Sequence, residues 1–191
     1  VRAKPDDMLI SRLVNTETDG RRLNDQELQS IVFQILVAGN ETTTTTLASG
    51  MRMMIERPEL ADAIHADPAL TTVLVEEALR TATPLQCLWR TALADVQFGD
   101  VTIPAGSIVE LRFGAANRDP SQFGCPADVD LERKNANSHL AFGAGIHLCI
   151  GNQLARGELR LAFQALTQRF TNFRFSRGDD SCVPLEGYTP Y

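Results

Sequence analysis

The sequence lacks a long apolar run, because no stretch approaches the roughly 20 consecutive apolar residues that a membrane-spanning helix needs. It also lacks a dense cluster of basic residues: 18 lysines and arginines stand against 24 acidic residues, for a net charge of −6. These absences argue against a membrane protein and against a nucleic-acid binder. The mild acidity is typical of a globular protein that charge keeps in solution.

The four cysteines also lack the CxxC spacing of a zinc ribbon or a thioredoxin-type site. They are Cys87, Cys125, Cys149 and Cys182. Free thiols in an intracellular protein fit this spacing better than a disulfide framework, so we expect a cytoplasmic location. The opening residues, VRAKPDD, show no signal-like segment.

The first half of the sequence predicts three helices. The first is long: Asn24 is its N-cap, Glu27 completes a capping box, and the helical pattern continues towards Pro58. Five consecutive threonines, residues 42–46, weaken its centre because β-branched residues are poor helix formers. Two shorter helices are predicted over residues 58–66 and 69–81. The apolar positions at helical spacing in the first helix are Leu28, Ile31, Val32, Ile35 and Leu36.

The second half begins with β structure. Residues 96–98 and 101–103 flank a Gly-Asp turn and predict a hairpin, and residues 107–111 predict another short strand. An irregular polar loop follows over residues 117–141. A last helix is predicted from after Gly151 to about Phe170, and we expect its buried face to carry Leu154, Leu161 and Ala165. The predicted fold class is mostly α with small β hairpins.

The segment FGAGIHLCIG, residues 142–151, is the most informative of the chain. Its three glycines indicate a backbone that bends sharply or approaches something flat. Cys149 stands just before the last helix, whose N-terminal N–H groups favour a thiolate over a thiol. Alone, a single cysteine is more often a small buried apolar residue than a ligand.

The whole segment resembles the haem loop of the cytochrome P450 family, FxxGxxxCxG, at every defined position. The flanking HLAFG (139–143) and GNQLARGEL (151–159) resemble its soluble bacterial branch. The resemblance implies haem b as cofactor, Cys149 as the thiolate ligand to iron, and a haem cradle that contains Phe142, Gly143, His147 and Gly151. It also implies the C-terminal, haem-binding half of the cytochrome P450 fold.

Two further segments match the family's scaffold. Glu77 and Arg80 resemble its ExxR pair, which by spacing alone would more often be a surface ion pair of little energetic effect. The resemblance implies instead that the pair is buried and locked to an arginine from the loop, which here is Arg133. The segment ANRDP, residues 116–120, resembles the family's segment before that loop. The implied role of all these residues is structural.

The segment AGNETT, residues 38–43, resembles the signature of the family's long oxygen-side helix. Ala38 and Gly39 are small enough for haem, oxygen and substrate to come close. Thr42 lies four residues after Ala38, where its hydroxyl can bond the Ala38 carbonyl and open the helix. The resemblance implies that Glu41 and Thr42 are the acid and alcohol that deliver protons for O–O cleavage.

Four residues outside these motifs, together with His147 of the haem loop, complete the expected site. Burying the two haem propionates requires cationic partners, and Arg90 and His147 match family positions for this role. His147 can instead cap the cysteine loop. Leu85, Gln86 and Leu88 fall where family members place side chains over the haem towards substrate. Gln86 is an uncommon polar choice there, and the sequence does not indicate what it bonds.

The resemblance implies a monooxygenase that inserts one oxygen atom from O₂ into a small apolar organic substrate. The two electrons would come from a ferredoxin and its reductase, and so indirectly from NAD(P)H. Arg156 and Arg160 are candidates to dock an acidic ferredoxin, and ordinary solvated arginines are the alternative. A peroxide-using relative is a second hypothesis, although such relatives typically lose the pair Glu41 and Thr42. A non-catalytic or inert haem-binding fragment is the third.

Residues 1–191 resemble only the C-terminal part of a single cytochrome P450 domain. We therefore expect the N-terminal half and the last strands to be absent, with the N-terminal half a required partner for a closed substrate pocket. The identity of the substrate cannot be derived from a fold.

Overall fold

The computed structural model describes residues 6–18 and 20–176. The helices are α1 (Leu9–Asn15), α2 (Asp25–Glu56), α3 (Pro58–Ala66), α4 (Thr71–Ala82), α5 (Phe113–Ala116) and α6 (Asn152–Arg169). The strands are β1 (Glu17–Thr18), β2 (Arg21–Arg22), β3 (Cys87–Thr91), β4 (Val96–Phe98), β5 (Val101–Ile103) and β6 (Ile108–Arg112). The chain divides into two units, residues 1–41 and 42–191, with the boundary inside α2.

In the first unit, the start of α2 confirms the predicted capping box. The Glu27 N–H donates to Asn24 Oδ1 at 2.9 Å, and the Asn24 N–H donates to Glu27 Oε2 at 2.9 Å. Arg21 adds two hydrogen bonds to the same carboxylate, at 2.7 and 2.8 Å. These bonds, Arg21 first and the Asn24 amide second, lower the pKa of Glu27 to about 2. The charged form therefore stabilises the first turn of α2.

The strands form three antiparallel pairs, and two of them, β1–β2 and β3–β6, were not predicted. The predicted hairpin is confirmed as β4 and β5, with Val96 opposite Ile103. The strand predicted over residues 107–111 is β6, shifted by one residue. Its partner is β3, which carries residues that we expected to face substrate or a haem propionate. β3 was missed because its pairing with β6 spans more than 15 residues, without a local turn signal.

The core of the second unit lies between α3, α4, α6 and the end of α2. Its buried cluster comprises Met54, Leu60, Ile64, Leu74, Val75, Leu79, Val129, Leu159 and Phe163. The expected buried face of α6 was wrong: Leu154 and Leu161 are 68% and 64% exposed, and Ala165 is exposed too. The buried residues of α6 are Leu159, Phe163 and Thr167. Both sets have helical spacing, so the pattern alone did not decide which face meets the core.

Gly50 marks the closest approach of α2 to α6. A Cβ added at this position would overlap the ring of Phe163, which is fully buried. We expect Gly50→Ala to lower the free energy of unfolding by about 1–3 kcal/mol, through overpacking. Gly157→Ala is the matched control, because nothing lies within 4 Å of its added Cβ.

The control should raise the unfolding free energy by up to about 1 kcal/mol, as alanine favours a helix over glycine. Urea unfolding of both variants measures the two effects. An equal gain in stability for Gly50→Ala and Gly157→Ala would contradict the close packing of α2 on α6.

Candidate functional site

The cysteine loop, residues 142–151, turns back on itself between the irregular segment and α6. Gly143 and Gly145 have φ angles of +69° and +65°, which glycine adopts without the strain that a side chain would cause. The Cys149 N–H donates to the Phe142 carbonyl at 2.9 Å, and the Leu148 N–H donates to the Gly145 carbonyl at 3.1 Å. These two bonds close the loop, so sharp bending explains two of its three glycines, Gly143 and Gly145.

The start of α6 fixes the other backbone group of Cys149. The Cys149 carbonyl accepts from Asn152 Nδ2 at 2.6 Å and from the Asn152 N–H at 3.3 Å. A Cβ added at Gly151 would lie 3.9 Å from the Cys149 sulfur, which places that sulfur beside the first turn of α6. Both backbone polar groups of Cys149 are thus hydrogen-bonded, so the loop and α6 fix the position of its backbone.

The loop that carries the Cys149 thiol exposes apolar side chains. Cys149 is a free, half-buried thiol, and Cys87 and Cys125 are free as well, as predicted, whereas Cys182 lies outside the described residues. Ile146 and Ile150 are fully exposed on the same loop. A soft sulfur ligand on a loop with exposed apolar side chains fits a flat apolar group with an iron centre, so the loop fits haem. His147, on the same loop, is exposed as well.

Three charged residues predicted as scaffold do lie together in the buried interior, and we name them the Glu77 cluster: Glu77, Arg80 and Arg133. Arg80 forms a bidentate pair with Glu77, at 2.7 and 3.0 Å, and neither side chain is exposed. Arg133 Nε lies 3.1 Å from Glu77 Oε1. Burial of these charges is tolerated because each one has a partner of opposite sign.

The Glu77 cluster also holds the irregular segment. Arg80 donates to the carbonyls of Asn117, Pro126 and Asp128 at 2.7–3.0 Å. The buried Asn117 in turn accepts the Leu140 N–H at 2.6 Å through Oδ1. The hydrogen bonds therefore run from α4 to the residue that stands two positions before the cysteine loop. Asn117 belongs to the ANRDP segment that the sequence assigned to the scaffold.

A second charged cluster, not predicted, lies next to the first and is named the Glu76 cluster: Glu76, His139 and Arg156. Arg156 donates to Glu76 through Nε at 2.7 Å and Nη2 at 3.0 Å, and His139 Nε2 lies 3.1 Å from Glu76 Oε2. Its members are 63 and 80 positions from Glu76, so no local pattern reveals them. In the sequence, the sign of a second cluster is that Glu76 directly precedes Glu77 on the same helix.

The Glu76 cluster corrects one expectation. Arg156 was a candidate for docking a ferredoxin, but its guanidinium is bound to Glu76 and to Asn152 Oδ1 at 3.0 Å, and the side chain is 26% exposed. A guanidinium held at so many points inside the chain is not available to a partner protein. Arg160, one turn further along α6, is exposed and keeps its place as a candidate.

The charge state of Glu76 gives a prediction for acid stability. Partial burial would raise the pKa of Glu76, but the bonds from His139 and Arg156 outweigh it and lower the pKa to about 2, from an ordinary value of 4.5. A carboxylate with a lowered pKa stabilises the folded state above its unfolded pKa. This stability is present above about pH 4.5 and is lost as the pH falls towards 2.

We expect about 3 kcal/mol of unfolding free energy to disappear over that window because of Glu76. Urea unfolding at several pH values between 6 and 2.5 measures the slope. Glu76→Gln should flatten this part of the profile, whereas Glu158→Gln, an exposed position on α6, should leave it unchanged. A profile for Glu76→Gln with the wild-type slope would contradict the assigned charge state.

The residues expected to face oxygen lie on α2, on both sides of the unit boundary. In the first unit Ala38, Gly39 and Glu41 are exposed, and in the second Thr42 is half-buried. No described atom lies within 4 Å of a Cβ added at Gly39, so contacts inside the described chain do not require a glycine there. The helix is continuous across these residues, and the opening at Thr42 stays a prediction.

Further along α2, Thr46 is buried, and its hydroxyl donates to the Thr42 carbonyl at 2.9 Å. Thr46 therefore has a hydrogen-bonding role in the helix as well.

The remaining predicted residues lie at or near β3. Arg90 is half-buried in β3, with Nη1 donating to the Trp89 carbonyl at 2.9 Å, and its role toward propionates stays a prediction. Leu85 is 43% exposed and Leu88 is half-buried.

Gln86 has the bonding partner that the sequence left open. Its Nε2 donates to the carbonyls of Ala82 and Thr83 at 2.7 and 2.8 Å, at the end of α4. Its Oε1 lies against Gly114, where an added Cβ would overlap it. The amide therefore serves the end of a helix, because terminal carbonyls need donors. Gln86 is therefore a scaffold residue, and we no longer expect it to contact substrate.

Comparison with known proteins agrees with this geometry. The family model described as Cytochrome P450 matches residues 2–187. The chain is 42% identical over 184 residues to the steroid C26-monooxygenase of Mycolicibacterium smegmatis, an alignment that covers 96% of this chain and 45% of that protein. It is 43% identical over 176 residues to cytochrome P450 105C1 of a Streptomyces species, which covers 92% of this chain and 45% of that protein.

Solved structures give the same result. Cytochrome P450 CYP109Q5 from Chondromyces apiculatus matches with a TM-score of 0.82 at 39% identity, over 90% of this chain and 46% of that one. CYP109E1 from Bacillus megaterium, in complex with corticosterone, matches with a TM-score of 0.83 at 34% identity, over 88% of this chain and 45% of that one.

The chain belongs to the cytochrome P450 family, and it is homologous to bacterial P450 monooxygenases. It spans a little under half the length of the relatives described above. The predicted fold class, mostly helical with small antiparallel sheets and matching about half of a P450 structure, is confirmed. Among the described residues, we find no helix with the length and apolar character that crossing a membrane requires.

Proposed function

We propose that this chain supplies the haem-binding C-terminal part of a single P450 domain, in which Cys149 is the thiolate ligand to iron. The cysteine loop carries the proposal. Its free thiol belongs to a residue whose backbone is hydrogen-bonded on both sides, and the loop exposes the apolar side chains of Ile146 and Ile150. When bound, haem would supply the redox chemistry that activates O₂. Phe142, Gly143 and Gly151 shape the loop around the sulfur.

The proposed reaction is the insertion of one oxygen atom from O₂ into an apolar organic substrate, with two electrons from a redox partner. A ferredoxin and its reductase are the proposed electron source, with NAD(P)H behind them, and we propose a cytoplasmic location. Arg90 and His147 are proposed to pair with the haem propionates. Ala38, Leu85 and Leu88 are proposed to contact substrate. Relatives named for steroid oxidation make apolar molecules of that size the first substrates to test.

Glu41 and Thr42 are the proposed acid and alcohol of proton delivery. The Thr42 hydroxyl can hold a proton at its oxygen, and the Glu41 carboxylate, exposed on the same helix, can exchange protons with water. Gly39 and Ala38 offer the small surface that this arrangement needs beside the reacting centre. Retention of this acid–alcohol pair favours O₂ over peroxide as the oxidant.

Thr42→Ala is expected to reduce the share of consumed O₂ that appears in product by about ten-fold or more, because the proton-positioning hydroxyl is lost. Thr42→Ser keeps a hydroxyl and should retain most of this coupling. Thr45→Ala, an exposed threonine of the same run, is the matched control. The measurement is the ratio of product formed to O₂ consumed, with a ferredoxin system and a substrate that turns over. Unchanged coupling in Thr42→Ala would exclude the proposed role.

A further inference from the structure

The Glu76 cluster contacts the two residues, Phe142 and Asn152, that form hydrogen bonds with the backbone of Cys149. Phe142, whose carbonyl accepts the Cys149 N–H, has the Arg156 guanidinium 4.5 Å from its ring centroid and the His139 ring centroid at 5.9 Å. A guanidinium over an aromatic face is attracted to it. The ring of Phe142 is therefore contacted by two members of the cluster.

The same guanidinium reaches the other side of Cys149. Arg156 Nη1 donates to Asn152 Oδ1 at 3.0 Å, while Asn152 Nδ2 donates to the Cys149 carbonyl at 2.6 Å. Gln153 Nε2 also donates to this oxygen at 3.0 Å. Because Oδ1 accepts from these donors, the amide of Asn152 is oriented with its nitrogen towards Cys149. Arg156 thus helps to orient the partner of the Cys149 carbonyl and packs on the residue that accepts the Cys149 N–H.

Glu76 and His139 fix the position of that arginine. Glu76 is almost fully buried and binds two nitrogens of Arg156, which holds the planar guanidinium in a single orientation. His139 Nδ1 accepts the Ala141 N–H at 3.1 Å, so its proton lies on Nε2 and points to Glu76.

We propose that the Glu76 cluster positions the thiolate ligand: it holds Phe142 and Asn152 so that the Cys149 sulfur keeps one direction. Glu76, His139 and Arg156 are positioning residues, since none of them would touch haem or substrate. This role rests on the proposed haem-thiolate function. It differs from the role of the Glu77 cluster, whose bonds hold the irregular segment.

The test compares Glu76→Gln and Arg156→Lys with two controls. Arg156→Lys keeps the positive charge but cannot bond Glu76 and Asn152 through a planar fork. Glu158→Gln removes an exposed carboxylate from α6, and Ile64→Val removes one methylene from the core, which provides a variant of reduced stability. The ferrous–CO spectrum and the rate of haem loss are measured on each haem-loaded protein.

We expect both cluster variants to lose part of the red-shifted, thiolate-type band and to release haem about ten-fold faster than wild type. Glu158→Gln and Ile64→Val should keep the full band. If Glu76→Gln kept the full band and lost stability only as Ile64→Val does, the positioning role would be overturned. Absence of the band from the wild-type protein would instead overturn the proposed function itself.

Hydrogen exchange of the chain without haem gives an independent readout. The Cys149 N–H should exchange about ten-fold faster in Glu76→Gln, because its acceptor Phe142 is less well held. The Leu159 N–H, in the buried part of α6, reports global unfolding. Faster exchange confined to Cys149 supports the proposal. An equal acceleration at Cys149 and Leu159 would mean that the cluster only stabilises the fold.

Discussion

Replacement of Cys149 by serine is expected to abolish the thiolate-type ferrous–CO band of the haem-loaded protein. Serine has nearly the same shape, and the three hydrogen bonds of this residue, one to Phe142 and two from Asn152, use only its backbone. The loop should therefore keep its conformation. A serine hydroxyl stays protonated and is a hard oxygen donor, whereas the proposed ligand is a soft sulfur anion. The change removes the ligand and little else.

The control is Cys125→Ser, which changes an exposed free thiol outside the loop and should leave the spectrum intact. Haem content measured beside the spectrum separates loss of the ligand from loss of the cofactor. Persistence of the full band in Cys149→Ser would rule out Cys149 as the ligand. Loss of the band in Cys125→Ser would assign the ligand to Cys125 instead.

The second large effect is expected from Glu77→Gln. This substitution leaves the guanidinium groups of Arg80 and Arg133 in the interior without their shared carboxylate. Removing one partner of a buried ion pair typically costs about 3–5 kcal/mol, because the remaining charge is neither solvated nor neutralised. A folded domain is stable by only about 5–15 kcal/mol, so this loss is a large part of the total.

Urea unfolding measures the loss of unfolding free energy, and two further variants serve as comparisons. Glu56→Gln removes the exposed partner of Arg52 and should cost less than about 1 kcal/mol. Arg80→Lys keeps the charge but not the fork that bonds Glu77 and three carbonyls, and should fall between the two. If Glu77→Gln cost no more than Glu56→Gln, the buried cluster would have no stabilising role.

The features that could be predicted from the sequence depend on residues that lie close together in the chain. The capping box at Asn24 and Glu27 depends on residues three positions apart, and the β4–β5 hairpin depends on a two-residue turn. The cysteine loop was predictable in the same way, because its glycines and Cys149 lie within ten residues of one another.

What the sequence could not predict depends on packing between distant segments. β3 needs β6 as its partner, and the face of α6 that is buried depends on α3 and α4 rather than on the spacing of its own leucines. The bond from Gln86 to the end of α4 follows from how the chain leaves that helix. For Glu76 the decisive partners, His139 and Arg156, are more than 60 residues away.

The ferrous–CO difference spectrum of the haem-loaded wild-type protein tests the central claim most directly. The account predicts one haem per chain and a red-shifted, thiolate-type band that Cys149→Ser removes. Failure to take up haem, or a band of the kind given by nitrogen or oxygen ligands in the wild-type protein, would contradict it.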